Sequence, residues 1–372
     1  NYLNFCAWSP LSYLTTLFRH ARICSLLPRL WQRESRLAAP QTRLKTISRA
    51  TSVRRSRTRS RTLSRVVILS SSSLSFAGLS GHGKTELATS LGSLLGTDIC
   101  NVDMSKTHTV MSLFGAAAGY QRSSGGSPLN NYLASHGGQR CVIFLDEFDK
   151  TKQEVRESLL TILDTGIGMD LRSNTVLDVT KSIWVLASNK GDDLISKLYD
   201  KNLKGKSDSE KRHVSIKPLQ HDLYKLFIEA YTPAVTGRIS SFLPFFPFSR
   251  DEAAVINHKF LRTLGDDVVL PIDLHSRPPR PVGHVHLSLL RDGDLCKFLA
   301  EVYIRELGAR PIQNRVDGFA DDLFMLYEDS KEEITEATNS GPHIKYTLQL
   351  HPVADTFEAA IREDGTTFIP SD

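Results

Sequence analysis

The glycine-rich segment "GLSGHGKT" at residues 78–85 constrains this chain more than any other stretch. It matches the pattern GxxxxGK[ST], whose glycines let backbone N–H groups turn inward around a phosphate chain. Lys84 would reach the β- and γ-phosphates, and the Thr85 hydroxyl would ligate magnesium. A strand-like run precedes the motif and a helical pattern follows it, as this chemistry requires. The alternative is a glycine turn that binds nothing. We expect a nucleotide site formed by Gly78, Leu79, Ser80, Gly81, His82, Gly83, Lys84, Thr85 and Glu86.

A second motif places acidic residues downstream of the phosphate-binding segment. The run "CVIFLDE" (141–147) puts Asp146 and Glu147 directly after five apolar residues, at the end of a predicted buried strand. Beside a phosphate-binding loop, such acids hold magnesium and orient the attacking water. We therefore expect Asp146 to hold Mg²⁺ together with Thr85, and Glu147 to be catalytic. The alternative is an acidic strand end that only faces solvent.

Hydrophobic patterning predicts an α/β fold around these motifs. Residues 141–145 and 183–187 are unbroken apolar runs, which is typical of parallel strands buried on both faces. Between them, residues 152–166 show the periodicity of an amphipathic helix. Because strands that alternate with helices indicate a parallel sheet, we expect a P-loop NTPase domain built on one.

The pattern changes near residue 248, where a proline-bounded apolar strand ends and Ser249 offers a helix start. Beyond it, the sequence predicts a small α+β unit with helices over 251–264 and 292–308, a strand at 284–289 and one further helix. We therefore divide the chain into a basic tail (1–65), a large nucleotide-binding domain (66–248) and a small C-terminal domain (249–372).

Charge is distributed unevenly along the chain. Residues 1–75 contain 14 of the 46 Lys and Arg residues but only one of the 41 acidic residues, so the remainder is acidic. An Arg- and Ser-rich, acid-poor tail is typical of an organellar transit peptide, and a disordered basic segment is the alternative. The five cysteines form no CxxC pair, which suggests a reducing compartment. We expect a cytoplasmic or mitochondrial protein with no membrane span.

Several segments, in chain order, resemble the AAA+ superfamily, and specifically the second nucleotide-binding domain of ClpB-like protein disaggregases. They are "GLSGHGKTELA", "FLDEFDKTK", "ESLLTILDTG", "ASN" at 187–189, "YTPAVTGRISSF" and "LGARPIQN". The resemblance implies that Asn189 senses the γ-phosphate and the attacking water. It also implies that Arg238 is an arginine finger and that Arg310 is the sensor arginine of a small lid domain.

The resemblance further implies what such a protein does. It would bind ATP and Mg²⁺, and couple ATP hydrolysis to remodelling or unfolding of protein substrates in a homo-oligomeric ring, with a hexamer as the expected size. The segment "FGAAAGYQRSSGGSPL" stands where the family has its pore loop, which makes Tyr120 the aromatic residue expected to grip the substrate. No specific nucleic-acid partner is expected.

Two other functions remain open at this point. One is a loader or remodeller of the same superfamily that acts on nucleic-acid complexes. The other is a nucleotide-binding scaffold that does not hydrolyse ATP, because residues 1–65 contain nothing like the family's segment for adenine binding.

Overall fold

The computed structural model describes residues 72–117, 119, 125–277, 279–329, 343–353 and 356–364. The basic tail predicted over residues 1–65 and the predicted pore-loop residue Tyr120 therefore lie outside the described residues. None of the helices within the described residues combines the length and the apolar character that a membrane-spanning helix needs.

A five-stranded parallel sheet forms the centre of the first unit. The strands up to residue 245 are β1 (Ser72–Gly78), β2 (Ile99–Asp103), β3 (Val142–Asp146), β4 (Ile167–Asp170), β5 (Thr175–Asp178), β6 (Ile183–Ser188) and β7 (Ser241–Phe245). The parallel sheet has the order β2-β3-β6-β1-β7, while β4 and β5 form a separate antiparallel hairpin. The predicted α/β fold with a parallel sheet is confirmed.

Eight α-helices connect these strands within the described residues. They are α1 (Lys84–Leu95), α2 (Val110–Phe114), α3 (Pro128–Ser135), α4 (Gln153–Ser158), α5 (Leu160–Thr165), α6 (Asp192–Asn202), α7 (Asp208–His213) and α8 (Lys217–Thr236). The single helix predicted over 152–166 is instead two short helices. They separate at Leu159, whose N–H bonds to the carbonyl of Arg156 in a tighter turn.

The core of this unit lies on both faces of the sheet. Alternate residues of β3 and β6 belong to different hydrophobic clusters: Ile143 and Trp184 pack on one face, and Phe144 and Val185 on the other. Every residue of β6 is buried. Since side chains alternate along a strand, an apolar residue at each position is what burial on both faces requires.

The second unit packs three helices against a smaller sheet. Its elements are α9 (Arg250–Val269), β8 (Val285–Leu289), α10 (Asp292–Leu299), α11 (Arg310–Asp329), β9 (Ile344–Val353) and β10 (Thr356–Glu363). The sheet order is β10-β9-β8, with β8 parallel and β10 antiparallel to β9. The predicted helix start is present as a capping box, in which Ser249 and Glu252 each bond the other's backbone N–H.

The helix predicted over 292–308 is wrong in its second half. It ends at Leu299, and a 3₁₀ turn over Ala300–Val302 leads into a bridge between Ile304 and Gly308. The chain leaves the helical path there because residues 303–309 contact the phosphate-binding loop, as described below.

The two units have separate hydrophobic cores. Buried apolar residues as far as Phe246 belong to the clusters of the five-stranded sheet, and those from Phe248 onward form a cluster of their own. This change of core falls where the sequence predicts the domain boundary, so we retain a division at about residue 248 as our proposal.

Candidate nucleotide site

The strand order brings the predicted site residues to one edge of the sheet. Because β6 lies between β1 and β3, the residues that follow these three strands meet at their carboxyl ends, where open α/β sheets bind ligands. A cavity of about 550 Å³ lies there. Of the residues that line it, those predicted from the sequence are Ser80, Gly81, Gly83, Lys84, Thr85, Glu86, Asp146, Glu147, Asn189 and Arg310.

Close backbone approaches explain two glycines of the phosphate-binding loop. A Cβ on Gly78 would lie 2.6 Å from the carbonyl oxygen of Phe245, and one on Gly81 would clash with the carbonyl oxygen of Leu307. Both glycines also have positive φ angles, 139° and 73°. The loop shape therefore depends on residues without a side chain at these positions.

Lys84 is held at the centre of the site. Its Nζ donates hydrogen bonds to the carbonyl oxygens of Gly78 (2.6 Å) and Leu79 (3.0 Å) and to Oδ1 of Asn189 (2.8 Å). Burial is the main cause that lowers the pKa of Lys84 to about 8, while Asp146 opposes the shift. Since these partners are one carboxamide and two carbonyls, an anionic phosphate would stabilise the buried ammonium further.

The magnesium residues predicted from the sequence lie together. The Thr85 hydroxyl donates to Oδ2 of Asp146 over 3.3 Å, and the N–H of Glu147 donates to Oδ1 over 2.9 Å. One hydroxyl and one carboxylate beside a phosphate site suit Mg²⁺, which usually keeps several waters and binds substrate phosphates. Glu147 also lines the cavity, and its side chain accepts a 3.0 Å hydrogen bond from Lys150.

Asn189 connects the lysine to a further acid. While its Oδ1 accepts from Lys84, its backbone N–H donates to Oδ1 of Asp149 over 3.1 Å. Asp149 also counters the lowered pKa of Lys84. Our site prediction omitted Asp149, although its place two residues after Glu147 in "DEFDK" was the available signal.

The second unit closes one side of the cavity. Arg310 begins α11 and lines the cavity, and its charge contributes to lowering the pKa of Lys84. Across the mouth, Nζ of Lys259 pairs with Oε1 of Glu86 over 2.6 Å. The lining residues that sequence reasoning missed are Thr89, Asp103, Ala187, Ser188, Phe248, Ile256, Lys259, Phe260, Ala309 and Gln313.

Other predicted residues do not reach the cavity. Gly78, Leu79 and His82 are not among its lining residues. His82 is fully buried and bonds to Tyr303 of the second unit. Arg238, which follows α8, also lies elsewhere: it pairs with Asp164 over 3.2 Å.

Comparison with known proteins agrees with this geometry. Residues 69–241 match the family described as AAA domain (Cdc48 subfamily). Probable chaperone protein ClpB 1 of Chlorobaculum tepidum is 32% identical over 182 residues, which are 47% of this chain and 40% of that protein. The ATP-dependent Clp protease ATP-binding subunit ClpC of Staphylococcus epidermidis is 26% identical over 283 residues, 73% of this chain and 32% of that protein.

A solved structure shares the fold. A chain in the closed-state reconstruction of Hsp104 with ATPγS and FITC-casein superposes with a TM-score of 0.58 at 22% identity, covering 78% of this chain and 45% of the other. The present chain thus spans less than half the length of each of these proteins. Residues 69–241 therefore match an AAA domain, and the motifs, the sheet order and these relatives together make the chain similar to Clp-type AAA+ proteins such as ClpB.

Proposed function

We propose that the chain hydrolyses ATP with Mg²⁺ and uses the energy to remodel or unfold protein substrates in a homo-oligomeric ring. The observation that carries the proposal is the convergence of Lys84, Asp146, Glu147, Asn189 and Arg310 on one cavity from four separate parts of the chain. The chaperone and Clp names of the relatives support the choice of protein rather than nucleic acid as the substrate.

Each residue has a role that its contacts suit. Lys84 binds the β- and γ-phosphates, and Thr85 and Asp146 hold the magnesium, which supplies positive charge to the phosphates. Glu147 orients the attacking water from the end of β3. Asn189, whose Oδ1 accepts a hydrogen bond from Lys84, senses the γ-phosphate and that water. Arg310 adds a second cation from the second unit, which we call the lid unit from here on.

The lid unit offers apolar surroundings for the adenine ring of the nucleotide. Phe248, Ile256 and Phe260 line the cavity beside the phosphate-binding loop. Apolar and aromatic side chains of this kind pack well against a planar heterocycle. We propose that these residues contact adenine.

Removing the Glu147 carboxylate tests catalysis. Glu147→Gln should bind ATP with nearly unchanged affinity but hydrolyse it about a hundredfold to ten-thousandfold more slowly, because the base is lost while the phosphate contacts remain. Steady-state phosphate release and nucleotide titration measure the two effects. The exposed Glu154 on α4 provides a matched control, and Glu154→Gln should behave like the wild type. Unchanged hydrolysis in Glu147→Gln would reject the assignment, and a wild type that binds but does not hydrolyse ATP would favour the scaffold alternative.

Nucleotide affinity should decrease above about pH 8. Lys84 has a pKa of about 8 in the described structure, and a bound phosphate would raise it by stabilising the ammonium. Below this pH the lysine is protonated with or without nucleotide, so it contributes no pH dependence. Above it, binding must take up a proton, and the affinity should fall by up to about tenfold per pH unit.

Titrating ADP between about pH 7 and pH 9.5 measures this dependence. In Lys84→Arg the guanidinium stays protonated over the range, so its affinity, although weaker overall, should be flat. A flat profile for the wild type would show that Lys84 does not titrate against the phosphate.

Arg238 should act on the nucleotide of a neighbouring subunit. Within its own chain it is tied to Asp164 and to the carbonyl of Ala234, away from the cavity. Arg238→Ala should therefore bind ATP but lose about a thousandfold in hydrolysis, the typical contribution of an arginine finger. The exposed Arg212 on α7 is a matched control, since Arg212→Ala should retain activity.

Mixing experiments separate action between subunits from action within one. The rate of ATP hydrolysis per subunit should rise with protein concentration as rings assemble. Mixing Arg238→Ala with Glu147→Gln should restore part of the activity, because at mixed interfaces an intact Glu147 meets an intact Arg238. Concentration-independent hydrolysis by a monomer would reject the ring.

Tyr120 remains the predicted substrate-gripping residue. An aromatic side chain gives a large, sequence-tolerant contact with few torsions to restrict. Tyr120→Ala should keep ATP hydrolysis but lose ATP-dependent unfolding of a fluorescent test protein, whereas Tyr120→Phe should keep both. Full unfolding activity in Tyr120→Ala would contradict the assignment. Stimulation of hydrolysis by DNA, with no effect of unfolded protein, would favour the nucleic-acid alternative.

A further inference from the structure

A buried histidine joins the phosphate-binding loop to the lid unit. His82 lies between Gly81 and Gly83 of the loop, yet its side chain is fully buried and does not line the nucleotide cavity. A buried imidazole needs hydrogen-bond partners, because leaving its nitrogens unpaired would be costly. Its partners therefore indicate what the residue does.

The hydrogen bonds of His82 form a directed chain. Nδ1 lies 2.9 Å from the carbonyl oxygen of Ser80, which can only accept, so Nδ1 carries a proton. In neutral His82, Nε2 then accepts from the Tyr303 hydroxyl, 3.1 Å away. The oxygen of Tyr303 in turn accepts a 3.0 Å hydrogen bond from the backbone N–H of Phe248. Burial raises the pKa of Tyr303 to about 12, which keeps its hydroxyl proton available.

Ring packing and backbone contacts reinforce the same connection. The His82 ring stacks on Phe248 with centroids 4.9 Å apart and an interplanar angle of 27°. One residue earlier, the carbonyl of Gly81 accepts a 2.9 Å hydrogen bond from the N–H of Ala309. A Cβ on Gly308 would lie 2.5 Å from the Gly81 backbone, so the segments are in direct contact.

The partners of His82 lie at positions from which the lid can be controlled. Phe248 is the residue at which the hydrophobic core of the lid begins, and it also lines the nucleotide cavity. Tyr303 belongs to the segment that leads into α11 and Arg310. Movement of the lid away from the loop would therefore break the hydrogen bond between a buried imidazole and a partly buried hydroxyl.

We propose that His82 is a positioning residue that couples phosphate binding to lid docking through the chain His82–Tyr303–Phe248. The lid, when docked, holds the loop in the shape that accepts phosphates, and bound phosphates favour the docked lid in return. The inference rests on the proposed nucleotide binding and extends it to how this site is regulated.

A double-mutant cycle tests the coupling. His82→Val and Tyr303→Phe should each weaken ADP affinity by about three- to tenfold, the effect of one buried hydrogen bond. Because both substitutions break the same chain, the double variant should be no weaker than the weaker single variant. The KM for ATP should rise similarly while kcat stays within about twofold, since the docked lid contributes equally to ground-state and transition-state binding.

Hydrogen exchange provides a readout that a merely structural role would not move. In the wild type, ADP should slow amide exchange in peptides covering residues 246–250 and 303–309, and Tyr303→Phe should lose much of that nucleotide-dependent protection. Tyr199 supplies a matched control, because it is a buried tyrosine that stacks against Arg305 of the lid unit and lies outside the cavity. Tyr199→Phe should keep wild-type ADP affinity and protection.

The outcomes separate this inference from the proposed function. If the wild type binds ADP but Tyr303→Phe shows unchanged affinity and unchanged protection, the coupling is wrong. The coupling would also be overturned if the fold-losses in ADP affinity of the two single variants multiplied in the double variant, because the two side chains would then act independently. If His82→Val lowers the melting temperature but leaves the ADP affinity at the wild-type value, His82 has only a structural role and the coupling is wrong. Failure of the wild type to bind any nucleotide would overturn both the proposed function and this inference.

Discussion

The parallel pairing of β6 with β1 on one side and β3 on the other is the constraint on which the site depends. In register, Ala77 pairs with Ser188 and Leu145 with Leu186, so β1 and β3 each end within one residue of the end of β6. The phosphate-binding loop, the acidic residues and Asn189 are then neighbours although they are distant in sequence. The burial of every residue of β6 maintains this register, because a shift by one residue would exchange the faces of its side chains.

Charge is concentrated at this edge of the sheet. The ammonium of Lys84 is largely removed from water, and the nearby carboxylates of Asp146 and Asp149 only partly counter the fall in its pKa. A buried cation held by carbonyl and carboxamide oxygens is a site that favours an additional anion. The second unit contributes Arg310 and Lys259 at the same cavity, so positive charge faces it from both units.

The sequence predicted those parts of the molecule that depend on local chemistry. The buried strands followed from unbroken apolar runs, the helix start at Ser249 from its capping chemistry, and the tight turn between β1 and α1 from glycine spacing. Where long-range contacts decide, the predictions failed or were absent. Helical spacing continues past Leu299, but the chain turns there because residues 303–309 pack on the loop. The ion pair of Glu86 with Lys259 joins residues 173 positions apart, and no local pattern indicates it.

The contact between Gly81 and Gly308 has a consequence for how separable the two units are. Each unit has its own hydrophobic core, which would ordinarily mark a fragment that can be moved into another protein. Here, however, residues far along the chain shape the loop of the first unit. One of these contacts joins His82 to Tyr303, which lies 221 positions later in the sequence. A fragment cut at residue 248 would expose the His82 imidazole and the Gly81 carbonyl to water. The phosphate-binding loop therefore does not keep its shape when it is separated from the second unit. Grafting the loop into another protein would require residues 303–310 to be transferred together with it.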